Sequence, residues 1–194
     1  WFDFRAQLPT GQGLWPALWM LPLEERYGGW AASGEIDLLE ARGHEPHKIL
    51  GSLHFGGRWP ANTHVTTELI LPQGGTIADF HIYAVEWDPG EIRWYVDGQQ
   101  YAAKSFWWST SQTDGQQGVP PKRESELNPW PAPFDQPFYL VMNLAVGGRF
   151  PGKPDAATVF PADMLVDYVR VYERAGGPGP IKPRGDGPLP FPKP

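Results

Sequence analysis

The chain has 194 residues, enough for one domain with a substantial core, and a net charge of -6 with no basic run longer than two residues, so neither nucleic acid nor an anionic membrane is an expected partner. It has no cysteine, which excludes disulfides, thiol nucleophiles and Cys-ligated zinc, and no apolar stretch long enough to span a bilayer. Its 10 Trp, 10 Phe and 7 Tyr are enough to fill a core and also to pave a surface that stacks on sugar rings.

Where the chain alternates it does so with period two, and no segment keeps a helical period for three turns. Trp1 to Leu8 reads as a strand with Phe2, Phe4 and Ala6 on one face, and Pro9 to Gly13 as a turn. Leu14 to Leu21 is an apolar, Trp-rich buried strand. A loop carrying Trp30 leads into a strand ending near Arg42. Ile49 to Phe55 closes at Gly56-Gly57, and Val65 to Leu71 alternates weakly. His81 to Trp87 and Glu91 to Val96 flank the turn Asp88-Pro89-Gly90. Asp97-Gly98 starts a second hairpin, returning over Tyr101 to Lys104. Ser105 to Gln136 is long, polar and proline-bearing, and its Trp107, Trp108 and Trp130 mark it as a binding-site loop. Phe138 to Val146 is apolar around Asn143. Met164 to Tyr172 is the last strand, with Leu165, Asp167, Val169 and Val171 expected on one face. The pattern is all-β at sandwich-like spacing, with a domain over 1–174. In 175–194 Pro and Gly dominate, as in a linker or extended tail.

Ser33-Gly34-Glu35-Ile36-Asp37-Leu38-Leu39-Glu40-Ala41-Arg42-Gly43 carries the chemistry. Glu35 and Asp37 share a strand face, but Glu40, at an odd separation from Glu35, would turn away. One extra residue in a bulge at Leu38-Leu39 restores the phase and lines up all three carboxylates. Crowded like charges should drive one pKa up and another down, the split that glycoside hydrolysis needs. In that reading Glu35 is the nucleophile, Glu40 the acid/base and Asp37 the tuner between them; the bland alternative is a solvated acidic edge.

These residues resemble glycoside hydrolase family 16, and within it the laminarinase-like endo-β-1,3-glucanases. The matches are Gly13 to Pro22, Ser33 to Gly43, Leu53 to Gly57, Phe138 to Gly148 and Val166 to Tyr172, in the family's order from Trp1 to Glu173. The resemblance implies a β-jelly-roll sandwich of two antiparallel sheets with a concave substrate groove, and retaining hydrolysis through a glycosyl-enzyme intermediate. It implies a monomer, extracellular or secreted although no signal peptide is visible, acting on β-1,3-glucan or mixed-linkage β-1,3-1,4-glucan. Catalysis would need no cofactor. The family's several strands before the segment matching Trp1 are absent, which should expose apolar sheet edges. The family calcium site on the convex face, which uses an Asp matching Asp167, is expected only in the complete domain.

By the same resemblance Trp15, Trp19 and Trp30 line the groove, against core packing for the first two. His54 and Asn143 would hydrogen-bond substrate, against purely structural roles. Arg42, a further candidate substrate-binding residue, would pair with an acid or only face solvent. The histidines His44, His47, His64 and His81 have no trustworthy metal-ligand spacing, and no metal site is expected. The competing functions are a non-catalytic β-glucan-binding module, or a hydrolase of agar or carrageenan. Glu35, Asp37 and Glu40 together favour an enzyme, and the acidic chain disfavours a sulfated substrate.

Overall fold

The computed structural model describes residues 1–111 and 120–191. Its strands are β1 (Phe2–Gln7), β2 (Leu14–Pro22), β3 (Glu35–Glu40), β4 (Lys48–Gly56), β5 (Asn62–Ile70), β6 (His81–Asp88), β7 (Glu91–Val96), β8 (Gln99–Lys104), β9 (Phe138–Val146) and β10 (Leu165–Val171). Two single-turn 3-10 helices are the only helical pieces among the described residues. Every predicted strand is present, and Asp97 and Gly98 both take the positive φ that their tight hairpin requires.

The strands form two antiparallel five-stranded sheets in a jelly-roll sandwich, ordered β10-β1-β6-β7-β8 and β5-β4-β3-β2-β9. Alternation directs Leu18, Met20, Ile36, Leu39, Leu53 and Phe55 of one sheet inward, where they meet Phe4, Tyr83, Val85, Ile92 and Trp94 of the other. This buried layer is the rigid base under β3.

One correction concerns β10. A bulge opposite Arg5 and Ala6 makes Asp167 the extra residue, so Val166, Val169 and Val171 pair with Ala6, Phe4 and Phe2, and strict alternation from Leu165 fails. Asp167 turns out to meet Arg5 at 2.8 Å on the surface.

The two flanks of the sandwich differ. Beside β5 and β8, Gly56 bridges to Ser109, and Trp107 and Trp108 are buried in the core. The tail, expected as a free linker, is extended but anchored there. Lys182 donates its amide to Pro89, Trp130 donates its indole N–H to the Lys182 carbonyl, and Gly185 donates its amide to Ser105. Leu189 packs against the core. The rest of that call, residues 192–194, lies outside the described residues. At the opposite flank Met142 and Val146 of β9 pair with the inward-facing Leu18 and Leu14, yet about half of each is exposed. Val171 of β10 is exposed to a similar degree. The apolar edges expected from the sequence are found here.

Candidate active site

The carboxylate strand is set by three local features. Gly34, at φ 89°, turns the chain into β3 where a Cβ would lie 2.8 Å from the Phe134 ring, so glycine is required. The pairing of β3 with β2 and with β4 then slips between Asp37 and Glu40, the predicted bulge. A bulge disrupts the ladder, and the buried Asp37 carbonyl is satisfied from the other sheet: Trp94 donates its indole N–H to it at 2.8 Å. Gly51 of β4 leaves room for that indole, because a Cβ there would stand 2.5 Å from Trp94 Nε1.

Glu35, Asp37 and Glu40 therefore share the outer face, while Ile36, Leu38 and Leu39 are buried beneath. Each glutamate has its own indole donor. Trp30 Nε1 donates to Glu35 Oε2 at 2.8 Å, and Trp15 Nε1 donates to Glu40 Oε1 at 3.0 Å. His54, opposite Glu35 on β4, brings Nε2 to 3.3 Å from Asp37 Oδ2 and 3.6 Å from Glu35 Oε1. Its ring stacks on His64, its neighbour on β5, at 5.3 Å.

Burial governs the charges. It pushes the Glu35 carboxyl up to about 7, helped by the charge of Asp37 and opposed by His54 and the Trp30 hydrogen bond. Asp37 is raised well above the usual carboxylate range by burial and then by Glu40, with the hydrogen bond from Glu35 opposing. Glu40 is raised by burial, against the Trp15 hydrogen bond and the positive charges of His54 and Arg42. The expectation that one pKa rises while another falls is thus corrected. All three rise, because desolvation acts on every member and outweighs the pairwise effects. The three carboxyls lie close enough to titrate as a unit, each held above its ordinary value.

A cleft of about 510 Å³ opens beside Glu35, lined by Trp19, Leu21, Glu25, Trp30 and Tyr139 among others. Trp30 is 40% exposed, which leaves its indole surface available to a ligand. The arrangement offers two carboxyls on one face, one of them opening on an aromatic-walled cleft, suited to acid/base and nucleophilic work on a sugar.

The model for glycosyl hydrolases family 16 matches residues 1–106. The chain belongs to this family. It is 51% identical over 176 residues to glucan endo-1,3-beta-glucosidase A1 of Niallia circulans, an alignment covering 88% of this chain and 24% of that protein. Against the laminarinase catalytic domain of Thermotoga maritima the TM-score is 0.69 at 39% identity, covering 90% of this chain and 63% of that one. A beta-1,3-glucan-binding protein of Penaeus monodon is 38% identical over 84% of this chain and 46% of its own length. The chain thus spans less than two thirds of each of these relatives.

In this family 16 chain the other predicted residues fall as follows. Trp15 and Trp19 are on the outer face of β2, part-exposed, and Trp19 donates its indole N–H to Asn143 Oδ1 at 2.7 Å. Asn143 lies in line with Ala17 and Glu40 across β9, β2 and β3, so it belongs to the site's face. Arg42 pairs with Glu45 at 2.6 Å and lies over Phe150, so its acid partner stands outside the trio. The loop tryptophans need correction: Trp107 and Trp108 are buried, and Trp130 stacks on Trp107, so they pack the core instead of extending the groove. The central part of that loop, 112–119, lies outside the described residues.

Sequence reasoning missed His64, Tyr139, Phe150 and Trp94. Extending the β4–β5 hairpin pairing from its turn would have set His64 beside His54. Phe150, which packs on Trp15 at 4.9 Å, and Trp94, which comes from the other sheet, carry no local signal.

Proposed function

We propose that the chain is an endo-acting, retaining hydrolase of β-1,3-glucan or mixed-linkage β-1,3-1,4-glucan. The observation that carries this reading is the placement of Glu35 and Glu40 on one face, each held by its own indole donor, with buried Asp37 between them. The printed activities of the Niallia and Thermotoga relatives support the substrate class.

Glu35, ionised, attacks the anomeric carbon while Glu40 gives its proton to the departing glycosidic oxygen. Burial and the neighbouring Glu40 disfavour the charged form of Asp37, which limits the like charge beside Glu35 as Glu35 ionises. Once Glu35 is esterified its charge is gone. Glu40, now ionised, takes a proton from water, and the hydroxide oxygen displaces Glu35 from the sugar. Two displacements return the β anomer. Trp15, Trp19 and Trp30 supply stacking surface, and Asn143 and His54 supply hydrogen bonds to sugar hydroxyls. No step uses a metal or cofactor. A polysaccharide substrate supports a place of action outside the cell, and a monomer would suffice because one chain carries all the proposed catalytic groups.

The test is proton NMR of laminarin hydrolysis before mutarotation. A β product appearing first supports the double displacement. An α product would mean inversion and remove Glu35 from the nucleophile's role. Laminarin binding with no new reducing ends would instead favour a glucan-binding module.

A further inference from the structure

We propose that Glu35, Asp37 and His54 form a site for one zinc ion, which enters the cleft as an inhibitor and not as a resident cofactor. The three residues present ligand atoms all within 4.8 Å of one another. Ligands about 2.0–2.1 Å from a tetrahedral zinc stand roughly 3.3–3.4 Å apart. His54 Nε2 is already 3.3 Å from Asp37 Oδ2 and 3.6 Å from Glu35 Oε1, so two edges of such a tetrahedron are nearly in place.

Asp37 supplies the independent sign of a missing partner. Its side chain is 3% exposed, and its Oδ2 receives no hydrogen bond among the described residues. That oxygen is the one turned toward His54. An imidazole beside two carboxylates selects zinc over calcium or magnesium, which take oxygen ligands. A cation there would also offset the repulsion among desolvated carboxylates. Glu35 is the member of the trio that lines the cleft, so water or an added ligand completing the shell would reach the ion from that side.

The surroundings argue against a permanent ion. A histidine holding a resident metal normally donates its other N–H to an acceptor. His54 Nδ1 is buried with no hydrogen-bond partner among the described residues, and its ring lies against His64. The second oxygen of Glu35 is committed to Trp30. Zinc would engage the Glu35 lone pair that the attack requires; this inhibitory consequence rests on the proposed function, whereas the binding does not.

The test titrates zinc chloride into the metal-free 194-residue chain by calorimetry, with cobalt(II) as a visible-absorbing stand-in. One ion per chain is expected, with a tetrahedral cobalt band that zinc bleaches. Glu35→Gln and His54→Gln should each weaken zinc by about 100-fold, at the upper end of the loss caused by removing an outer-shell partner. Thermal melts check that both variants fold, and the near-isosteric Asp37→Asn repeats the test if either does not. No stoichiometric binding, or binding undiminished in the folded variants, overturns the site. Laminarin hydrolysis should fall in proportion to zinc occupancy, and full occupancy with an unchanged rate overturns inhibition. If the metal-free chain does not hydrolyse laminarin, the proposed function fails, while the calorimetry still decides the site.

Discussion

The two faces of β3 are opposites made from six consecutive residues. The inner face, Ile36, Leu38 and Leu39, is buried hydrocarbon and stabilises the sandwich. The outer face holds three carboxyls whose pKa values are all raised by burial, so its ionised form opposes folding. One strand thus carries both the foundation and the strain of the site. The bulge separates them, and the Trp94 indole from the other sheet secures it. The contrast shows why so acidic a hexad can be held in place: its alternate residues are fixed in a packed layer that acids cannot easily deform.

The contrast is tested first by chemistry. Glu35→Gln should lower kcat for laminarin on the order of 10⁴-fold or more while oligosaccharide binding, followed by calorimetry, survives. An active variant would detach the outer face from catalysis.

On the inner face, Ile36→Ala should cost about 2–5 kcal/mol in urea unfolding, because Ile36 is fully buried and its removal leaves a cavity. A cost below that of an exposed substitution would mean that the layer is not the foundation argued above.

Trp94→Phe keeps an aromatic ring but removes the donor to the Asp37 carbonyl. Leaving that buried acceptor unpaired should cost about 1–3 kcal/mol. The acidic limb of the pH–rate profile should shift as well, since the bulge sets the spacing of the carboxyls. An unchanged profile would show that the bulge holds without the indole.

Glu35→Gln also tests the strain directly. The folded-state pKa is raised from 4.5 to about 7, so folding favours the protonated form. The associated stability is fully present below the unfolded-state value and is lost as pH rises through about 7. The variant should therefore lose less stability than the parent between those pH values. Above them it should be the more stable by about 1–3 kcal/mol. Chemical denaturation across pH measures this, and parallel curves would refute it.

The smallest effect belongs to a segment remote from β3. Truncation after Ala175 removes the tail's backbone pairing to Pro89 and Ser105 and the packing of Leu189, and should lower stability by about 1 kcal/mol or slightly more. Laminarin hydrolysis by the folded protein should not change. A lost activity would tie the tail to the site.

Period-two alternation, the turn at Asp97-Gly98 and the odd spacing from Glu35 to Glu40 were enough to determine an all-β chain, its strands and a bulge, because backbone geometry ties those features to neighbouring residues. The tertiary structure alone decided what depends on residues distant in sequence. Trp107 and Trp108 have the same local character as a groove tryptophan, and only their packing on Phe134 and Trp130, and on Phe55, buries them. His54 and Asp37 meet through strand pairing, and Trp94 reaches the Asp37 carbonyl across the sandwich. The common upward shift of the carboxyls has the same origin: desolvation comes from everything packed around the site, which no six-residue pattern contains.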